Sequence, residues 1–165
     1  MPSCAYIHTD KTSGQKTPCR HPAYGKQRFC VFHFEDVRTK EADFAKALAD
    51  LLTQAATSGE PVDLDFKGFV FPRVNFREYE FRGIADFRAA RFEQDVDFRG
   101  AAFLQQADFH TTEFRKGAGF FAVLFASNAR FLGTVFGGRA IFNGAKFRGS
   151  TAFHGCKFAA FAAWQ

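Results

Sequence analysis

Residues 81–114 read FRGIADFRAARFEQDVDFRGAAFLQQADFHTTEF, and the phenylalanines in that stretch decide the fold. They stand at Phe81, Phe87, Phe92, Phe98, Phe103, Phe109 and Phe114, in steps that alternate six and five. The alternation continues through Phe120, Phe125, Phe131, Phe136, Phe142, Phe147, Phe153 and Phe158, while the earlier Phe66, Phe71, Phe76 and Phe81 lie five apart. Eighteen positions therefore keep one beat.

The residue two before each phenylalanine keeps the same time. From Ala85 it reads Ala85, Ala90, Val96, Ala101, Ala107, Thr112, Ala118, Val123, Ala129, Thr134, Ala140, Ala145, Thr151 and Cys156, all small or β-branched. The residue between the pair varies freely, as in Asp86, Arg91, Asp97, Glu113, Arg130 and Lys146. Residues two apart on extended backbone share a face, so the small residue and the phenylalanine point inward and the variable one meets water.

Neither a helical repeat near 3.6 nor continuous alternation at 2 fits this pattern. A three-residue inward-outward-inward unit is instead followed by two or three residues that turn. Glycine recurs two residues after the phenylalanine, at Gly68, Gly83, Gly100, Gly133, Gly138, Gly144, Gly149 and Gly155, where a tight turn with positive φ is expected. Short strands joined by corners make a solenoid.

With its A-x-F blocks, such as Ala85-Asp86-Phe87 and Ala107-Asp108-Phe109, the chain resembles the phenylalanine-rich pentapeptide-repeat proteins over roughly residues 62–160. The resemblance implies an all-β fold, a right-handed quadrilateral β-helix with one block per side and four per coil. Eighteen blocks then give about four and a half coils, with the added residue of each six-residue step placed at a corner. The expected axis is a stacked ladder that includes Phe87, Phe98, Phe109, Phe120, Phe131, Phe142 and Phe153.

The remaining chain divides into residues 1–35, residues 36–60 and the repeat at 61–165. The first segment holds Cys4, Cys19, Cys30 and His33, with Cys30 and His33 in a C-x2-H pair. Thiolates and an imidazole suit a tetrahedral zinc ion, and a closed Cys3His shell is structural. A segment with almost no aliphatic core needs such a cross-link to fold. The pattern looks like small zinc-knuckle modules, and one zinc ion is the expected cofactor. The competing reading is unlinked thiols on a disordered tail; disulfides fit poorly without an export signal. His8 and His21 are alternative ligands by residue type, but the expectation is that both are exposed.

Residues 35–57 read as a helix, with Val37, Phe44, Leu48, Leu51 and Leu52 at helical spacing, ended by Ser58-Gly59-Glu60-Pro61. Its apolar stripe is expected to cover the N-terminal end of the β-helix, against Leu64, Phe69, Val74 and Tyr79; a helix that binds another protein is the alternative. At the other end Phe161 and Trp164 are read as breaking the beat and either folding over the end or meeting a second rod.

No nucleophile elbow, phosphate loop or dinucleotide fingerprint occurs, so the chain is read as non-catalytic. No run of about eighteen apolar residues and no apolar signal core is present, and the expectation is a cytoplasmic protein without membrane contact. The net charge of +5 is uneven: residues 61–113 carry seven Lys/Arg against ten Asp/Glu, whereas residues 114–165 carry seven Lys/Arg and no acid.

Apolar residues fall at outward positions at Leu104, Phe121, Leu124, Leu132, Val135 and Ile141. They mark a candidate interaction surface for a protein partner or a homodimer through the C-terminal half. The leading reading is thus a binding scaffold. One alternative is nucleic-acid binding by the basic half and by Lys11, Lys16, Arg20, Lys26 and Arg28 around the metal. Another, implied by the resemblance, is DNA mimicry directed at a type II topoisomerase through a row containing Asp86 and Asp108, a row that Arg130 and Ala152 interrupt.

Overall fold

The computed structural model describes residues 2–9 and 13–164. Strand β1 (Ile7–Thr9) pairs antiparallel with β2 (Lys16–Pro18) in an N-terminal hairpin. Helix α1 (Val37–Thr57) follows, with Asp36 capping its first turn by accepting from the Arg38 and Thr39 amides. The chain then winds through nineteen two-residue strands in four parallel sheets, which form the four sides of a solenoid.

The first side stacks Leu64–Asp65, Ala85–Asp86, Ala107–Asp108, Ala129–Arg130 and Thr151–Ala152. The second stacks Val70–Phe71, Arg91–Phe92, Glu113–Phe114, Val135–Phe136 and Lys157–Phe158. Val74–Asn75 through Ala162–Ala163 make the third side, and Glu80–Phe81 through Lys146–Phe147 the fourth. Register is set at 22 residues, as in Ala107↔Ala129 and Phe103↔Phe125. The first coil is one residue shorter, pairing Leu64 with Ala85, because its Pro72 corner lacks the extra residue.

The two step lengths correspond to two kinds of corner. Five-residue steps follow the first and third sides, and one residue of each takes positive φ: Gly68, Ala89, Thr111, Gly133 and Gly155 after the first, Glu78, Gly100, Ala122 and Gly144 after the third. Six-residue steps follow the second and fourth sides without positive φ. Gly83, Gly138 and Gly149, expected in left-handed turns, lie in these wider corners for another reason. A Cβ on Gly138 would stand 2.4 Å from the carbonyl carbon of Lys116 in the coil before it, and one on Gly149 2.5 Å from that of Ser127.

Inside, from Phe92 onward each ring lies nearly parallel over the ring one coil earlier, because the strand spacing of about 4.8 Å matches the separation at which aromatic rings stack. Phe87, Phe109, Phe131 and Phe153 are spaced 4.8, 4.9 and 4.7 Å along the first side. Phe98, Phe120 and Phe142 are spaced 4.9 and 4.8 Å along the third. The expected ladder is thus two facing columns. They meet edge to face in a zigzag along the axis, with Phe98–Phe109, Phe109–Phe120 and Phe120–Phe131 centroids 5.9, 5.8 and 5.7 Å apart.

The small inward slot has its own chemistry at the second side. Thr112 and Thr134 donate their hydroxyls to the carbonyls of Phe87 and Phe109 at 2.7 Å, and the Cys156 thiol does the same to Phe131. A hydroxyl is admitted to this core because a carbonyl satisfies it.

The expectation for the C-terminus needs correction. Trp164 does not break the beat: it stands six residues after Phe158, and its ring lies 4.2 Å over Phe142 at 3°. Ala162 fills the small slot and pairs with Ala140. Tryptophan takes the phenylalanine position because a flat ring is what the column requires. This nineteenth block brings the solenoid close to five coils rather than four and a half.

The N-terminal end is closed. Phe32 stacks on Phe69 at 4.4 Å, and Phe44 of α1 meets Phe71 edge-on at 5.4 Å. The Val70 amide donates to the Phe32 carbonyl, and the Tyr79 hydroxyl to that of Leu52. Among the described residues, no helix is long and apolar enough to cross a membrane.

Candidate metal centre

The hairpin and a tight turn assemble the site. Cys4 precedes β1 and Cys19 follows β2, with the Cys19 amide bonded to the Tyr6 carbonyl. Cys30 and His33 belong to one turn closed by the His33 and Phe34 amides on the Cys30 carbonyl. The ligand atoms of Cys4, Cys19, Cys30 and His33 all lie within 4.8 Å of one another.

The separations suit a tetrahedral ion. With Zn–S near 2.3 Å and Zn–N near 2.0 Å, the edges of a tetrahedron are roughly 3.8 Å for sulfur pairs and about 3.5 Å for sulfur–nitrogen pairs. Cys19 Sγ lies 3.8 Å from Cys30 Sγ, and Cys4 Sγ 3.7 Å from His33 Nδ1. His33 Nδ1 is 3.1 Å from Cys30 Sγ, somewhat inside that edge.

Around the ligands, the protein fixes both charge and tautomer. His33 Nε2 stands 2.9 Å from the Lys67 carbonyl, so Nε2–H donates there and Nδ1 is left to face the sulfurs, the usual arrangement behind a metal-bound histidine. Tyr6 stacks on the imidazole at 3.8 Å, and Phe69 meets it edge-on. Backbone amides point at the sulfurs: Tyr6 N and Cys30 N at Cys4 Sγ, His21 N at Cys19 Sγ. The hydrogen bond with Cys30, reinforced by His33, holds the Cys19 thiol down at about 3, although burial opposes it. The same pairing pushes Cys30 up.

One cation sits against this cluster. Lys40 of α1 is fully buried, with Nζ 3.4 Å from the Phe32 carbonyl and 4.9 Å over the Phe44 ring. Burial pushes it down to about 7, even though the charges of Cys30 and Glu35 act in the opposite direction. The sequence pattern of α1 gave no sign that a lysine would lie under the module. His8, expected at the surface, is buried on β1, because that strand packs toward the first side of the solenoid near Arg88 and His110.

The outward apolar residues are dispersed by the coil. Leu124 lies on the fourth side, Val135 on the second and Ile141 on the third, while Leu132, Phe121 and Leu104 stand at corners after the first, third and fourth. Phe121 is exposed and lies beside Arg99, and the other five are half-buried. They circle the rod and do not share one face. Of the cations expected around the metal, Lys16, Arg20, Lys26 and Arg28 are exposed, and Lys11 lies outside the described residues.

The acidic row is internally neutralised. Lys67 pairs with Asp65 and Asp86, Arg88 with Asp86, and Arg130 with Asp108. Burial pushes the Asp108 carboxyl up, whereas the Arg88 hydrogen bond and the Lys67 charge overcome burial at Asp86 and hold it below its usual range.

In comparison with known proteins, residues 66–113 match the family described as pentapeptide repeats (9 copies). No curated protein and no solved structure matches the chain. The matched residues span just over two coils, and the same register, ring stacking and corners continue on both sides of them. Residues 66–113 thus match the pentapeptide repeats, and the all-β solenoid that contains them is consistent with a pentapeptide-repeat β-helix.

Proposed function

We propose that the protein is a non-catalytic binding scaffold, a rod closed at its N-terminal end by a zinc-stapled module and open to a protein partner at its C-terminal end. The single observation that carries this reading is the contrast between the ends. Phe136 and Phe142 are 1 % and 2 % exposed, yet one coil further Phe158 is 40 % and Trp164 48 % exposed, and Phe161 between them is 63 % exposed. Stacked rings and unpaired strand edges together make a surface that favours association.

Three thiolates and one imidazole with no open position support zinc in a structural role. A second copy of the chain is the partner the geometry supports best. Head-to-tail stacking is blocked, since Phe32 and α1 occupy the other end, so association is end to end and stops at a closed dimer. Lys146, Arg148 and Lys157 would face their counterparts across that contact, so added salt should strengthen it by screening. Nucleic-acid mimicry is less well supported, because the carboxylates of the acidic row are held by their own lysine and arginines.

Light scattering at low and high salt tests the reading. The wild type is expected to dimerise more strongly at high salt, and Trp164→Asp to remain monomeric while Phe121→Asp still dimerises. A wild type that is monomeric at high concentration in both salts overturns self-association. Loss of the dimer in Phe121→Asp alone moves the contact to the apolar band.

A further inference from the structure

We propose that Cys19 and Cys30 form a peroxide-sensitive thiol pair whose oxidation expels the metal and unlocks the N-terminal module. This rests on the zinc reading above and adds a chemical regulation of the same site. The three sulfurs are unequal. Cys4 and Cys30 are 7 % and 1 % exposed, whereas Cys19 is half-buried and opens onto a cleft between the module and the first side, lined by Pro18, Arg20, His21 and Lys67.

Hydrogen bonding sharpens the difference. Cys4 Sγ accepts two backbone amides and Cys19 Sγ one, so more lone-pair density stays on the sulfur that solvent reaches. Nucleophilic attack by a thiolate requires both density and access. Cys19 has both, and its resolving partner is 3.8 Å away.

The reaction balances with a hydroperoxide as oxidant. The Cys19 thiolate attacks the O–O bond, an S–O bond forms, and hydroxide leaves. The Cys30 thiolate then attacks the Cys19 sulfur, the S–S bond forms, the S–O bond breaks, and a second hydroxide leaves. Two electrons pass from the two thiolates to the peroxide. The sulfurs must close to about 2.05 Å, and neither is then a thiolate ligand. Cys4 and His33 alone remain, too few for a closed shell.

The unlocking follows from where the ligands are attached. Cys30 and His33 share a turn with Phe32, whose ring covers Phe69 and whose carbonyl accepts the Val70 amide. Release of the metal frees that turn from the first coil.

The test uses the full-length zinc-loaded protein and hydrogen peroxide. Zinc is followed with a chromogenic chelator, thiols are counted, and disulfides are mapped by peptide mass in the wild type and in Cys156→Ser, which removes the remaining cysteine. The expected result is one zinc ion released per Cys19–Cys30 disulfide formed, at the same rate in both proteins, with a dithiol and zinc restoring the starting state. Amide exchange at Val70 should rise in step with the release.

Zinc retained while Cys156 is oxidised overturns the inference and leaves the zinc reading intact. Release accompanied by a disulfide through Cys4, or by over-oxidised Cys19 without a disulfide, also overturns it. Untreated protein that carries no metal overturns the zinc reading itself, and with it the release step.

Discussion

The N-terminal module and the β-helix solve the same problem in opposite ways. The β-helix distributes its stability over four aromatic columns in which every ring repeats the contacts of the ring before it. The module gathers four candidate ligand atoms within 4.8 Å of one another, beneath a hairpin with little apolar content, and on the zinc reading proposed above its stability is concentrated there. The difference teaches that redundancy and economy fail differently: a repeat loses one contact at a time, whereas a metal centre is lost whole.

The largest effect should come from breaking the economical half. Cys30→Ser is expected to lose stoichiometric metal and most of the apparent binding energy of a structural zinc site, about 10 kcal/mol. Hydrogen exchange should then show residues 2–35 unprotected while residues 85–142 stay protected. Unfolding of both parts together would mean that the β-helix depends on its cover far more than the repeat logic allows.

A smaller effect separates the interior of the rod from its open end. Phe109→Ala empties a fully buried position flanked by Phe87 and Phe131 and should cost about 3–5 kcal/mol in denaturant unfolding. Phe158→Ala, with 40 % of its surface already exposed, should cost well under half as much. Equal losses would show that the C-terminal end is covered in solution, which is what the dimer proposed above would do.

The smallest contrast lies in the corners. At Gly144 φ is +68, the conformation that Ala122 adopts one coil earlier at +54, so Gly144→Ala should cost about 1–2 kcal/mol. Gly138→Ala places its Cβ 2.4 Å from backbone and should cost more, because two coils must separate to admit it. Thermal unfolding of the two variants ranks them, and the opposite order would refute the assignment of corner types.

Much of this fold is legible in the spacing alone. A beat of five and six fixes what points inward, and the same arithmetic places the added residue at alternate corners. What escaped was lost where residue identity hid position. Trp164 keeps the beat six residues after Phe158 but is not phenylalanine, and so reads as an interruption. Gly83, Gly138 and Gly149 share their offset with the left-handed glycines and differ only in which side precedes them.

At the candidate metal centre, the grouping of Cys4, Cys19, Cys30 and His33 was readable from C-x2-H and the two preceding cysteines. The support of His33 was not, because the Lys67 carbonyl that orients it lies 34 residues on in a segment whose pattern speaks only of the repeat. Lys40 was hidden likewise: a lysine in an amphipathic helix reads as solvated until the module lies over it.

The register of 22 residues carries a consequence of its own. Any whole number of such units can be added or removed between the two ends with every following residue kept on its own side, and each unit changes the separation by about 4.8 Å. The rod is in that sense a ruler graduated in circuits, on which distance can be adjusted while each side keeps its own set of residues.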